Sequence, residues 1–396
     1  MAKKRGQGEG SISKREDGTW WARITVGTDA DGKQKRKAFY GKTRAEVQKK
    51  MTTAVNEMNN GAFIPTSNVT LEQWLKTWFD EYAANSIKHS TKVSYDDYIH
   101  KHIIPNIGRM KLIDIRPDTL QKFYNDKLEN GRLDGKGGLS PKTIKNIHNM
   151  LHKSLQQAVD NNLIYRNPSN STTTPKITKK EMRVLSPAEH MKVLESSHND
   201  KHGLIIRLGL ATGMRLGELV ASQWRDVDFT SASLYVRRNL GRLKNYDDEI
   251  EAKTVIVIAE PKTKTSKRTI PLSDEILADL KSAKAIQDDL KKQCGEGYND
   301  EGFIFASPMG TCIEPRTMQD AFKRVLGGAG VQDANFHALR HTFATRALEA
   351  GIPAKVVSEI LGHASVGITL DLYSHVSLDT KRDAINKISA YVAAQR

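Results

Sequence analysis

Cysteine is nearly absent from this 396-residue sequence: Cys294 and Cys312 are the only two. That excludes a disulfide framework and a cysteine-built zinc cluster, and it fits a reducing compartment. Long apolar runs are missing as well, so no membrane span is expected. The opening Met1-Ala2-Lys3-Lys4-Arg5 also lacks the apolar core of a secretory signal. Acidic residues are in short supply, with 46 against 61 basic ones, for a formal charge of +15. That imbalance points to a polyanionic partner, nucleic acid above all, with a merely solvated basic surface as the alternative. The expectation is a soluble, intracellular, cytoplasmic chain with room for two or three domains.

What is present falls into three segments. Residues 1–60 carry 14 Lys and Arg against 7 Asp and Glu. Trp20 to Val26 reads as a strand, Asp29-Ala30-Asp31-Gly32 as a turn and Lys33 to Tyr40 as a second strand. A short strand near Ser11–Lys14 precedes the turn at Gly18. Thr43 caps a helix from Arg44 to about Asn59, with Glu46 as its capping-box partner. Three strands and a helix make a small module. Its sheet carries Arg15, Arg23, Lys35, Arg36 and Lys37, which could lie in a DNA groove or form a solvated basic hairpin.

Residues 61–68 read as a linker, and 69–167 as a helical domain. Leu71, Trp74, Leu75, Trp78, Phe79 and Tyr82 recur at helical spacing and predict a core face. A second helix starts at Ser90 or Thr91. Asp118 caps a third, and Ser140-Pro141 opens a fourth with proline at its first position. His148 and His152 lie one turn apart without a third ligand, so no metal site is read there. Residues 168–183 are polar and read as a second linker. The rest, 184–396, is mainly helical, with a continuous helical pattern over His202–Ser222 and a small antiparallel sheet from strands within 227–273. The fold class is therefore multidomain α+β.

The chemistry-bearing residues crowd the C-terminal half. Arg215 stands in Thr212-Gly213-Met214-Arg215-Leu216-Gly217-Glu218, and His337 and Arg340 in His337-Ala338-Leu339-Arg340-His341. Leu361-Gly362-His363 follows, and Tyr373 comes ten residues later. Cleaving a phosphodiester with a side chain needs a nucleophile, cations for two non-bridging oxygens and a proton donor for the leaving oxygen. Arginine forks suit the phosphate oxygens. A phenol, with a pKa near 10, needs a neighbouring base and nearby positive charge to attack at neutral pH. His337 and Arg340, three residues apart, share one helix face. Glu218, one turn past Arg215, is read as orienting a cationic neighbour.

In their order and spacing these boxes resemble those of the tyrosine recombinase (phage integrase) family, over roughly residues 184–396. The upstream segments resemble the arm-site-binding and core-binding domains of lambda-type integrases from temperate phages or integrative conjugative elements. The resemblance implies attack by Tyr373, a 3′-phosphotyrosyl intermediate, a free 5′-hydroxyl and a homo-tetramer working through a Holliday junction. It implies no cofactor and no metal. It also implies a general-acid lysine in a hairpin matched by Pro261 to Arg268; Lys262 is chosen by its Pro-Lys-Thr frame, with Lys264 as the alternative. The expected partners are double-stranded core and arm attachment sites in a bacterial host, at the nucleoid. The sequence leaves open a host DNA-bending protein and an excision factor. It also leaves open whether the amphipathic tail at Ser377–Arg396 packs in cis or on a neighbouring protomer. A non-catalytic DNA-binding or architectural protein and a type IB topoisomerase-like activity are the alternatives.

Overall fold

The computed structural model describes residues 11–28, 34–59, 68–178, 182–246, 252–260 and 266–372, with isolated positions between 382 and 393. The chain divides into two compact units, Met1–Lys179 and Lys180–Arg396.

In the first unit, β1 (Ser11–Lys14), β2 (Trp20–Thr28) and β3 (Gln34–Gly41) form an antiparallel meander in the order β1-β2-β3. Gly18 adopts the positive φ that closes the β1–β2 turn. Ala22 and Ile24 are buried, as are Val47 and Ala54 of helix α1 (Arg44–Asn59). Thr43 accepts from the Glu46 N–H, while the Glu46 carboxylate reaches back to the Lys42 N–H at 3.0 Å. The expected cap is thus present, with its return bond one residue earlier than a standard capping box.

Four helical rods follow. The first is α2 (Leu71–Thr77), prolonged by a π-helical turn at Trp78–Ala83. The second is α3 (His89–Asp97), prolonged through Tyr98–Ile103 into α4 (Ile104–Ile107). The others are α5 (Pro117–Asn130) and α6 (Pro141–Asp160). Apolar residues at helical spacing interlock them: Leu71, Trp74, Leu75, Trp78 and Phe79 are buried against Ile99, Leu120, Ile147 and Leu151. The Trp74 indole donates to the Ser154 carbonyl at 3.0 Å and ties α2 to α6. Two local readings change. Tyr82 is exposed, because its hydroxyl accepts from Asn161 at the rim. Asp118 is not a cap, because Pro117 already occupies the first turn and Arg116 is the capping residue.

The polar stretch after Asn167 begins as part of this unit. Ser169 is buried, Thr173 exchanges hydrogen bonds with Gln121, and His152 meets the Ser169 hydroxyl at 3.0 Å. Residues 168–173 are therefore bound to the helices rather than free of them.

The second unit opens with α7 (Pro187–His198), closed by the Ser186–Glu189 capping box. Then come α8 (Gly203–Thr212) and α9 (Leu216–Val220), separated by a break. The strands are β4 (Val227–Asp228), β5 (Ser233–Val236), β6 (Asn239–Lys244), β7 (Thr254–Ala259) and β8 (Arg268–Pro271). They form an antiparallel β4-β5-β8 sheet and a separate β6-β7 hairpin, two sheets where one was expected. Helices α10 (Asp274–Cys294), α11 (Pro315–Ala329), α12 (His337–Glu349), α13 (Ala354–Leu361) and α14 (Val366–Leu372) complete it. The core joins Ile205, Ile206 and Leu208 of α8 to Phe322 and Val325 of α11, Leu339 of α12 and Leu234 of β5. A smaller apolar cluster of Ala344, Ala347, Val357 and Leu361 locks α12 to α13.

Candidate active site

The break between α8 and α9 builds the centre of the site. The sequence pattern reads as helical through Ser222, but Gly213 adopts φ +62° and stops α8. A β-carbon there would lie 2.5 Å from Leu361 and 2.6 Å from Phe343, so only glycine lets the chain turn this close to α12 and α13. The turn makes Arg215 the capping residue of α9. Its backbone N–H donates to Glu218 Oε2 at 3.0 Å and its Nη1 to Glu218 Oε1 at 2.8 Å. Glu218 is only 3% exposed, whereas the Arg215 side chain is 37% exposed. Burial alone would raise the Glu218 pKa, but Arg268 and Arg215 outweigh it and hold the carboxyl below its ordinary value. Glu218 thus engages both the backbone N–H and the guanidinium of Arg215.

Arg340 differs from Arg215. It is 2% exposed, and it donates to the Gly213 carbonyl and to the Leu361 carbonyl, both at 2.9 Å. Burial, with Arg215 nearby, lowers its pKa to about 9, so it stays charged at neutral pH. Within one guanidinium it cross-links the segment leading to Arg215 with the segment leading to His363.

His337 opens α12, one turn before Arg340 and His341. Burial, then the charges of Arg340 and Arg215, lower its pKa. The helix N-terminus acts in the same sense, because its partial positive charge disfavours an imidazolium. The His341 ring stands edge-on to it at 4.5 Å. His363 follows the αL residue Gly362 that ends α13, and its Nδ1 lies 2.8 Å from the buried Thr369 hydroxyl. Burial, Arg340 and Arg215 push His363 down to about 4. Burial is the first cause of the shifts of Arg340, His337 and His363, and the charges of Arg215 and Arg340 add to it at both histidines. A cavity of about 360 Å³ opens beside His337, walled by Met214, Leu216, Phe322 and Phe336.

Arg268 was not singled out by the sequence, where it closes a run of basic residues. It is buried and donates to Glu218 Oε2 at 3.0 Å. Lys262, Lys264 and Tyr373 lie outside the described residues, as does most of Ser377–Arg396.

In the first unit, strand alternation sorts the basic residues of the sheet. Arg23 pairs with Ala38 and Thr25 with Arg36, opposite in sense to the buried Ala22 and Ile24. The outer face therefore carries Trp21, Arg23, Arg36 and Tyr40, with the Arg15 guanidinium 5.2 Å over the Tyr40 ring and that of Arg23 5.6 Å over Trp21. Lys37 pairs with Ile24, which puts it on the side that faces α1, and its ammonium lies 5.7 Å over Phe39. Lys35 pairs with Gly27 beyond a register shift. Lys37 thus does not share the face that carries Arg23 and Arg36.

The His148 and His152 rings lie 6.0 Å apart, tilted by 31°, and their Nδ1 atoms meet the hydroxyls of Thr172 and Ser169. Among the described residues no group of three or more His, Cys, Asp or Glu side chains could hold a metal ion. Nor is any described helix long and apolar enough to cross a membrane.

Comparison with known proteins gives two matches to family patterns. Residues 176–379 match the phage integrase family, and residues 70–128 match the phage integrase N-terminal SAM-like domain. A XerC-like tyrosine recombinase of Caldanaerobacter subterraneus is 32% identical, over 92% of this chain and 94% of its own. The ICEBs1 integrase of Bacillus subtilis is 23% identical over 96% and 99%. Among solved structures, the Tn1549 transposon integrase in complex with transposon right end DNA aligns at TM-score 0.65 and 23% identity, covering 81% of this chain and 99% of that one. A lambda integrase tetramer bound to a Holliday junction aligns at TM-score 0.55 and 20% identity, covering 93% and 96%. Both structural likenesses concern the fold.

Proposed function

The chain belongs to the phage integrase family of tyrosine recombinases, and from that premise we propose how its residues divide the work of cutting and rejoining DNA. Tyr373 is the nucleophile. Its phenolic oxygen attacks the scissile phosphorus, the bond to the 5′-oxygen breaks, and the 3′-phosphate becomes esterified to the tyrosine. The phenolic proton passes to neutral His337, and the leaving 5′-oxygen takes a proton from Lys262, with Lys264 as the alternative donor. Arg215 and Arg340 neutralise the non-bridging oxygens, and His363 donates a hydrogen bond to one of them. A 5′-hydroxyl of the partner duplex then attacks the phosphotyrosine and releases Tyr373, so the number of phosphodiester bonds is conserved.

The observation that carries this reading is the convergence of Arg215, Arg340, His337 and His363, where burial first and the two guanidiniums second disfavour the imidazolium form of both histidines. Neutral His337 can accept a proton; an imidazolium could not. We assign residues 1–60 to arm sites, 69–167 to core sites and 184–396 to catalysis, joined by a linker at 61–68 and a connection at 168–183 whose first part, 168–173, packs on the helices of the first unit. The proposed assembly is a homo-tetramer on two attachment sites, in the cytoplasm of a bacterial host, integrating a mobile element and excising it.

The test is Tyr373→Phe on a nicked suicide duplex carrying the core site. Covalent protein–DNA adduct is expected from the unaltered chain and none from the variant, with DNA binding retained. Adduct persisting in the variant would remove Tyr373 from the role. In a two-plasmid assay, joined products are expected; relaxation alone would favour a topoisomerase-like reading.

A further inference from the structure

Arg268, at the start of β8, is 8% exposed and spends its guanidinium on three segments of the second unit. Nη2 donates to Glu218 Oε2 at 3.0 Å, Nη1 to the Ser266 carbonyl at 3.1 Å, and Nε to the Ile360 carbonyl. Glu218 is the carboxylate that grips Arg215, and Ile360 lies three residues before His363.

A charge count gives this arrangement its meaning. Glu218 is buried and directly ion-paired with Arg215 and Arg268. Without Arg268 its remaining ion pair among the described residues would be with Arg215, the buried Arg340 acting on it only through space, and that pair would be neutral. Arg215 would then hold its carboxylate without offering net charge to anything else. With Arg268 on the other oxygen, one buried cation already offsets the buried anion. Arg215 keeps its hydrogen-bonded orientation and an uncompensated positive charge, on a side chain more than one-third exposed. The pKa of His363 is lowered first by burial and then by Arg340, Arg215 and Arg268, so all three arginines lie within electrostatic reach of that ring.

We propose that Arg268 is a positioning residue: it neutralises Glu218 so that the charge of Arg215 remains available to the scissile phosphate. The inference rests on the phosphodiester-cleaving reading above. Arg268 touches no reacting atom in this scheme; it acts through Glu218 and Arg215.

The test is a double-mutant cycle on the full chain, read as the single-turnover rate of covalent adduct formation on a nicked duplex carrying the core site. Arg268→Gln in the unaltered background should slow adduct formation about tenfold or more, with DNA affinity held within about twofold. In the Glu218→Gln background, where no carboxylate charge needs balancing, the same substitution should cost at least about fivefold less. A purely structural role predicts equal or larger cost in the second background, because two buried partners have then been altered. Equal or larger cost, or an Arg268→Gln rate within about twofold of the unaltered chain, overturns the proposal. If Arg268→Gln shows no cooperative melting, the pair Glu218→Gln and Glu218→Gln/Arg268→Gln decides alone: rates within about threefold support it, and a larger gap overturns it. Absence of adduct from the unaltered chain would instead remove the phosphodiester-cleaving reading, an outcome distinct from any of these.

Discussion

Arg340 donates through Nη1 to the carbonyl of Gly213 at 2.9 Å, two residues before Arg215. The second of the two proposed clamps is therefore also tied to the segment that leads to the first. Two arginines that look equivalent in the sequence have different physical duties, and their substitution should separate those duties.

Arg340→Ala leaves the buried carbonyls of Gly213 and Leu361 without their donors, each worth about 1–3 kcal/mol of desolvation. Arg215→Ala leaves Glu218 still paired with Arg268 and removes a partly exposed side chain. We expect both to lose about 10²-fold or more in cleavage rate. Only Arg340→Ala should also lose several degrees of melting temperature. Equal destabilisation by the two, measured in the same buffer, would contradict the division of roles.

Gly213→Ala tests the turn. The added methyl must accommodate φ +62° and contacts at 2.5–2.6 Å with Leu361 and Phe343. A cost of about 1–3 kcal/mol in urea unfolding is expected, with a cleavage loss larger than the fraction unfolded explains. A variant with unaltered stability would show that the turn tolerates a side chain.

The histidines predict an acid limb in stability. His341 is pushed down to about 4 by burial, then His337 and Arg340, and His363 to about 4 by burial, then Arg340 and Arg215. Their unfolded values lie near 6.5. Between these limits the unfolded chain binds more protons, so the stability they confer is complete above about 6.5 and is lost as pH falls through about 4. Melting temperature should fall less steeply between pH 7 and 4.5 in His341→Gln/His363→Asn than in the unaltered chain. Parallel slopes would mean that other groups cause the acid loss.

The N-terminal sheet should bind DNA with its outer face. Arg23→Ala and Arg36→Ala should each reduce the slope of log affinity against log salt by about 1 on arm-site DNA, whereas Lys37→Ala should change it less. The alternation that puts Lys37 on the side of Ile24 is the reason. A Lys37→Ala effect equal to that of Arg23→Ala would speak against face-on binding.

The helical rods were legible because caps and apolar spacing act over three or four residues. Thr43 and Ser140 both accept hydrogen bonds from the first turn of the helices that the sequence assigned to them. The break at Gly213 was not legible, because Leu208 to Leu219 keeps an apolar pattern that fits an unbroken helix; the glycine was the available signal. Strand β6 carries no strand signal of its own in the sequence. Asn239–Lys244 has no β-branched residue and only two leucines, and its strand character comes from pairing with Thr254–Ala259.

By itself the sequence determined which residue types are present and which short elements carry them: two arginines and two histidines in boxes on local helices, and a tyrosine beyond. Only the tertiary structure decided what each cation does. Arg340 ties two buried carbonyls, Arg215 is a partly exposed cation held by Glu218, and Arg268 is the second, buried partner of that carboxylate, through bonds spanning 127 residues in one case and 50 in another. Helix caps are written within one turn of chain. Burial and charge compensation depend on what distant segments bring to the same few ångströms, and no local pattern records that.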